Sequence, residues 1–280
     1  MKTVPFDSVV DAVEKLVIET NYNLPDDVLG ALKKARGNET SLLAISILDQ
    51  IIENADIASS ELLPICQDTG LALFFIDIGD KVYVDGAGLE AAINEGTRRG
   101  YKNGALRMSM VKDPLRRDNT GDNTPATIHC RILKGEGFTM HFCPKGAGCE
   151  NMSSLAMLSP GDGRQGAIDF VIETIRKGGG NPCPPVIIGV GIGGNFEYSA
   201  FLSKRSLLRT VGERNRDPYL ADIENELLEK INALGIGPMG LGGVSTVLDV
   251  FVETAPCHIA SMPVAVNIQC HAARHGKTEL

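Results

Sequence analysis

Apolar residues recur at helical spacing from Val9 to Ile57, as in Val9, Val13, Leu16 and Val17, then Leu42, Leu43, Ile45, Leu48, Ile51 and Ile52. Asn23-Leu24-Pro25 interrupts the run, so the first quarter of the chain, to about residue 60, reads as broken helix. Near Pro64 the period changes. LALFFIDIG and KVYVDG are short β-type runs, followed by a helix around Gly88 to Arg99 carrying Leu89, Ala92 and Ile93. Thr127 to Phe142 alternates in strand fashion around a turn at Lys134-Gly135-Glu136-Gly137, and Gly166 to Lys177 is an amphipathic helix stopped by Gly178-Gly179-Gly180. Pro184 to Gly191 is wholly apolar, the signature of a strand covered on both faces. Helices at Phe196–Leu208 and Tyr219–Leu234 and strands at Thr246–Glu253 and Met262–Ile268 complete a mixed α/β pattern, whose strand order the periodicity leaves open.

Composition narrows the class. A chain of 280 residues that is 43% hydrophobic can bury a large core without disulfides or a metal. No Pro-, Ser- or charge-rich stretch separates two halves, so residues 1–280 read as a single domain with a helical N-terminal part. A formal charge of −8 argues against nucleic acid or an anionic membrane surface as partner. MKTVPFDSVVDAVEKL lacks the apolar region of a signal peptide, and no window approaches a membrane span, which leads to an expectation of a cytosolic protein. Seven cysteines in a reducing compartment are better read as thiols for metal or chemistry than as disulfides.

Three of these cysteines stand at abrupt loop boundaries: Cys66 in PICQDTG, Cys183 in NPCPPV and Cys270 in NIQCHAARH. Their spacing fits no zinc ribbon, zinc finger or ferredoxin, since no C-x₂-C pair exists. Singly, each is more simply a small buried hydrophobe. Gly189-Val190-Gly191-Ile192-Gly193-Gly194 satisfies G-x-G-x-x-G between a strand and a helix, with Glu213 about 20 residues on. A dinucleotide-binding module therefore competes with the plainer reading, glycines for tight strand-to-helix packing. Glycine runs at Lys145–Gly148 and Gly235–Gly243 offer backbone N–H groups to an anion or are simply turns. Asp68 and His258 are candidates for proton transfer, and Arg107 for a bidentate grip on a carboxylate; the plainer readings are a structural histidine and an exposed, paired arginine.

Taken together, PICQDTG, NTGDNTPA, PKGAGCENM, NPCPPVIIGVGIGGNFE and HIASMPVAVNIQCHAARH resemble the α subunit of two-subunit class I fumarate hydratases, in the same order and from about Asp26 onward. The resemblance implies a hydro-lyase of the tricarboxylic acid cycle, holding a [4Fe–4S] cluster on Cys66, Cys183 and Cys270. Three thiolates leave one iron open as a Lewis acid for the departing hydroxyl, and the same opening implies oxygen sensitivity. The charge developing on the substrate carboxylate then requires donors already in place. By the same resemblance those are Gln67, Arg107 and Gly148 for binding and Asp68 and His258 for proton transfer. Cys130, Cys143, Cys149 and Cys257 fall outside the ligand positions. Single-chain members continue into a second domain, so a separate β subunit and an α2β2 assembly are implied. The α subunit of L(+)-tartrate dehydratase shares the cysteine framework, and the glycine and final blocks here look more fumarase-like.

Overall fold

The computed structural model describes all residues, Met1–Leu280. In chain order the elements are β1 (Lys2–Val4), α1 (Phe6–Tyr22), α2 (Asp26–Asn38), α3 (Leu42–Glu61), β2 (Leu71–Gly79), β3 (Val82–Val84), α4 (Leu89–Asn103), β4 (Thr127–Leu133), β5 (Phe138–Lys145), α5 (Ala147–Glu150), β6 (Ser154–Leu158), α6 (Gly163–Gly178), β7 (Val186–Gly193), α7 (Phe196–Ser206), α8 (Pro218–Asn232), β8 (Val247–Ala255), β9 (Met262–Gln269) and β10 (Gly276–Glu279). The mixed α/β class expected from periodicity is the class observed, and each predicted helix and strand from Leu71 to Ile268 has its counterpart, while β1, β6 and β10 were not expected. No helix is long and apolar enough to cross a membrane. The chain divides into two compact units, one of Met1–Pro25, Ala55–Ala147 and Arg274–Leu280, the other of Asp26–Asn54 and Gly148–Ala273. Each draws on separated stretches, so no linker marks them in the sequence.

The first unit is built on a four-stranded sheet in the order β10-β5-β2-β4, with β1 and β3 paired in parallel beside it. The turn at Lys134–Gly137 does not close a hairpin: β4 lies parallel to β2 and β5 antiparallel to it, so β2 separates the two strands that the turn joins. Helices α1 and α4 cover this sheet, burying Val9, Val13 and Val17 with Ile93 and Tyr101 against Phe74, Ile76, Met140 and Phe142. Their close approach depends on Gly96 and Gly100, where an added Cβ would stand 2.6 Å from Val13 and 2.8 Å from Val17.

The second unit carries a mixed sheet in the order β6-β9-β7-β8, with β7 parallel to β8 and antiparallel to β9. Helices α6 and α8 bury Ile168, Val171 and Ile175 with Ile223, Leu227 and Ile231 on one face, against Ile188, Val190, Val250, Val252 and Val266. Helix α7 covers β7 from the other side, because Gly189 and Gly191 let its backbone sit directly on the strand: an added Cβ would overlap the carbonyls of Ser203 and Ser199. Coverage on both faces is why β7 lacks polar alternation. The edge strand β8 is closed by side chains. Arg214 and Asn215 donate to the carbonyls of Val250 and Val252, Val252 N–H donates to the fully buried Glu224 (2.9 Å), and Glu224 is ion-paired with Arg209 at 2.6 Å. That arrangement leaves few free backbone groups for edge pairing.

Candidate functional site

In the first unit, the CQDTG segment forms a turn fixed from several sides. Asp68 closes it, accepting from Gly70 N–H at 3.0 Å through one carboxylate oxygen and from Ala147 N–H at 2.8 Å through the other. Cys66 Sγ accepts from Asp68 N–H at 3.4 Å, and its thiol faces Gln67 Oε1 at 3.6 Å. Gly70 is left-handed (φ 73°) and a Cβ there would stand 2.7 Å from Lys145 N, so no larger residue fits. Beneath the turn lie residues that motif reading does not single out. Buried Tyr101 donates to the carbonyls of Thr69 and Gly70 (2.9 Å each), and buried Arg274 donates to the carbonyl of Asp68 at 2.7 Å and to Asn21 Oδ1 at 3.2 Å. Burial pushes the Tyr101 pKa well above its ordinary value, with the Arg274 charge opposing, so the phenol remains a neutral donor. Arg107 has an exposed side chain, and its carbonyl accepts from buried Thr69 Oγ1 at 3.0 Å. Cys66, Gln67, Asp68 and Arg107 are thus gathered in one place by short-range bonds within this unit.

In the second unit, Cys183 and Cys270 come together at one end of the sheet. Cys183 precedes β7 and Cys270 follows β9, and the antiparallel pairing Ile187↔Gln269 brings those ends side by side. His271, next to Cys270, closes the pair: its backbone N–H donates to Cys183 O at 3.3 Å and its Nδ1 lies 2.9 Å from the same oxygen. Cys183 itself is held at φ 55°, a conformation that non-glycine residues avoid and that concentrates at functional sites. Pro184 O accepts from Met239 N–H at 2.8 Å, so the Gly235–Gly243 loop supports the cysteine from below. Gly148 is exposed, with Asn181 O 3.7 Å from where its Cβ would be.

His258 is elsewhere. It follows β8 beyond the pair Gly193↔Ala255, whereas Cys183 precedes the opposite end of β7, and the strand between runs about 20 Å. Its loop is exposed, and Ala260 N–H donates to Nδ1 at 3.1 Å, which leaves the ring proton on Nε2. The remaining cysteines differ in setting: Cys143 and Cys149 are buried, Cys130 and Cys257 exposed.

Two other features of the sequence find local explanations. The G-x-G-x-x-G segment has its first glycines filled by α7, and Asn195 caps that helix by accepting from Tyr198 N–H at 2.9 Å. The packing reading therefore accounts for it, and the dinucleotide reading loses its phosphate cradle. The two residues after the Gly235–Gly243 run present their N–H groups to an anion, and the anion is the chain's own: Glu39 accepts from Val244 N–H (3.0 Å) and Ser245 N–H (3.2 Å) as well as Thr40 N–H (2.9 Å). A cleft of about 590 Å³ lined by Asp27, Lys34, Asn38, Arg214 and Asp249 holds none of the sequence-predicted residues. Its acids are engaged, Asp249 with Arg214 and Asp27 with Val211 N–H at 2.7 Å.

The family model for fumarate hydratase (Fumerase) matches residues 10–279. A Methanocaldococcus jannaschii protein named "Putative L(+)-tartrate dehydratase subunit alpha" is 45% identical over 270 residues, covering 94% of each chain. The L(+)-tartrate dehydratase subunit alpha of Escherichia coli strain UTI89 is 34% identical over 256 residues, covering 90% of this chain and 84% of its own, and the Shigella sonnei protein of the same name matches equally. A mixed α/β chain with thiols on stiffened loops and this relationship is a hydro-lyase chain of the iron–sulfur type. It belongs to the fumarate hydratase (Fumerase) family.

The donor set is compatible with such a cluster. Cys66, Cys183 and Cys270 are partly exposed thiols on loops, with Cys66 Sγ 3.6 Å from Gln67 Oε1 and Cys183 Sγ 3.9 Å from Asn181 O. No three His, Cys, Asp or Glu side chains are grouped tightly enough to hold a single metal ion.

Proposed function

We propose that the chain is the α subunit of a hydro-lyase that adds or removes water across the central bond of a C4 dicarboxylate, with fumarate and (S)-malate as its substrate pair. The reading rests most on one observation: Cys183, in its left-handed conformation, is tied through its carbonyl to the residue after Cys270, which pairs two thiols at one sheet end. With Cys66 as third ligand, a [4Fe–4S] cluster there would supply a Lewis-acidic iron with an open coordination position. The protein's own part is to bind and orient. Arg107, Gln67 and the backbone of Gly148 are the proposed contacts to the substrate carboxylates, and the guanidinium fork suits a carboxylate bidentately. Asp68 is the proposed proton carrier beside Cys66, held by its two backbone bonds in one orientation. His258, at the far end of β7, can serve the same chemistry only when presented by another copy of the chain, with its Nε2 proton ready to donate.

The names of the relatives as α subunits support a separate β subunit, and an α2β2 cytoplasmic complex is the proposed assembly. Those same names favour L(+)-tartrate as a second substrate reading, one hydroxyl away from malate. The test is an anaerobic preparation of the α–β complex assayed on both: hydration of fumarate with a kcat/KM at least tenfold above that for tartrate dehydration supports the first reading. The reverse ratio assigns tartrate, and turnover of neither overturns the proposed activity.

A further inference from the structure

The NTGDNTPA motif has no role in the proposed chemistry, yet one of its residues makes three hydrogen bonds under the Cys66 turn. Asn123 is fully buried and left-handed at φ 57°. Its Oδ1 accepts from the N–H groups of Ser109 (2.8 Å) and Met110 (3.0 Å), two and three residues after Arg107. Its Nδ2 donates to the carbonyl of Gly70 at 3.2 Å, at the end of the turn that carries Cys66 and Asp68. A single amide therefore spans the two segments. Thr69 joins the same two segments, its hydroxyl donating to Arg107 O at 3.0 Å. The backbone conformation is part of the device, since asparagine, aspartate and glycine accept a positive φ at little cost and other residues do not.

We infer that Asn123 is a positioning residue: it sets the Arg107 guanidinium relative to the Cys66–Asp68 turn by holding both backbones, without touching the substrate. The inference rests on the reading of Arg107 as the carboxylate grip. An orphaned pair of N–H groups at Ser109 and Met110 would let the Arg107 segment drift, and a misplaced grip weakens binding before it slows the chemical step.

The experiment compares Asn123→Gly, Arg107→Met and the double variant in the anaerobic α–β complex, with KM and kcat measured for fumarate and for L(+)-tartrate. Asn123→Gly keeps the backbone conformation and removes the bonds. It is expected to raise KM about tenfold with kcat changed less than threefold, part of the effect of three lost hydrogen bonds, because only the shift of Arg107 reaches the substrate. In the Arg107→Met background the same change should leave KM unaltered, because a residue acting through Arg107 has nothing left to act on. A merely structural role would instead add its full effect in both backgrounds, and that result overturns the inference. If Arg107→Met alone leaves KM unchanged, the grip itself is misassigned and the site reading fails, which separates the two failures. Should the glycine variant not fold, Asn123→Asp decides: it keeps the acceptor for Ser109 and Met110 but loses the donor to Gly70 O, so KM should rise at least threefold in the wild-type background and stay unaltered in the Arg107→Met background, and an equal rise in both overturns the inference. Hydrogen exchange on the free chain gives a readout apart from activity. The Ser109 and Met110 amides should exchange at least tenfold faster in Asn123→Gly and near the wild-type rate in Asn123→Asp. A Met110 amide equally protected in all three proteins would also overturn the assignment.

Discussion

Single residues here are held by more bonds than their motif letters suggest. Asp68 uses both oxygens on backbone N–H groups, from Gly70 and Ala147. Replacing it with asparagine turns a donor toward one of those groups, so Asp68→Asn should lose turnover by about 10²-fold or more if it carries the proton. Steady-state assays with the cluster spectrum recorded in parallel check this, and unchanged turnover would clear Asp68 of the role. Glu39 allows a prediction in pH. Burial works to raise its pKa, but the bonds from Thr40, Ser41, Val244 and Ser245 outweigh that and hold the carboxyl below its usual range. A group depressed in the folded state contributes stability above its unfolded pKa of about 4.3, and the contribution fades as pH falls through the lower folded value. Urea titrations of wild type and Glu39→Gln should therefore differ most near neutral pH and converge in acid. Glu224 should be costlier to lose: Glu224→Ala leaves the buried Val252 N–H without its acceptor and takes one of two carboxylate partners from each of Arg209 and Arg214, and should destabilise by about 1–3 kcal/mol in urea titrations.

At the scale of elements, the pattern of apolar positions was enough to place the long helices and buried strands, because α1, α4, α6 and α8 each bury one stripe and β7 is covered on both faces. Three strands escape such a reading for a physical reason. β1 is only Lys2–Val4, β6 is a short interrupted run, and β10 is the polar segment Gly276–Glu279, paired at an edge through its backbone. Strand order is equally hidden, since β4 and β5 flank β2 by backbone pairing that no periodicity records. The candidate site divides similarly. Thiols on stiff loops stand out in the sequence, whereas Tyr101 lies in no motif and Asn123 and Arg274 carry no signal of their own inside NTGDNTPA and the final block, so that only the fold shows them bonded under the Cys66 turn. The glycines of β7 were legible as two alternatives, and packing on α7 decides between them. Gly191→Ala would drive a methyl into the Ser199 carbonyl and should cost about 3 kcal/mol or more by chemical denaturation. A change below 0.5 kcal/mol would mean that α7 does not press on the strand.

For the whole molecule, the residues named in the proposal fall in both units, Cys66, Gln67, Asp68 and Arg107 in the first and Gly148, Cys183 and Cys270 in the second. Each also has its own hydrophobic core, so the metal is not required for most of the stability. Air exposure of the α–β complex should accordingly abolish hydratase activity while circular dichroism stays nearly constant, and anaerobic ferrous iron with a thiol reductant should restore it. Activity that survives prolonged air exposure would contradict an open iron in the mechanism. The central claim is that these three thiols hold one cluster, and iron and acid-labile sulfide analysis on anaerobically purified protein tests it most directly. The wild-type chain should carry about four of each, as expected of a cubane cluster. Cys66→Ser, Cys183→Ser and Cys270→Ser should each lose most of both, while Cys143→Ser and Cys149→Ser retain them. A full complement in any of the first three variants, or its loss only with Cys143 or Cys149, would contradict the assignment.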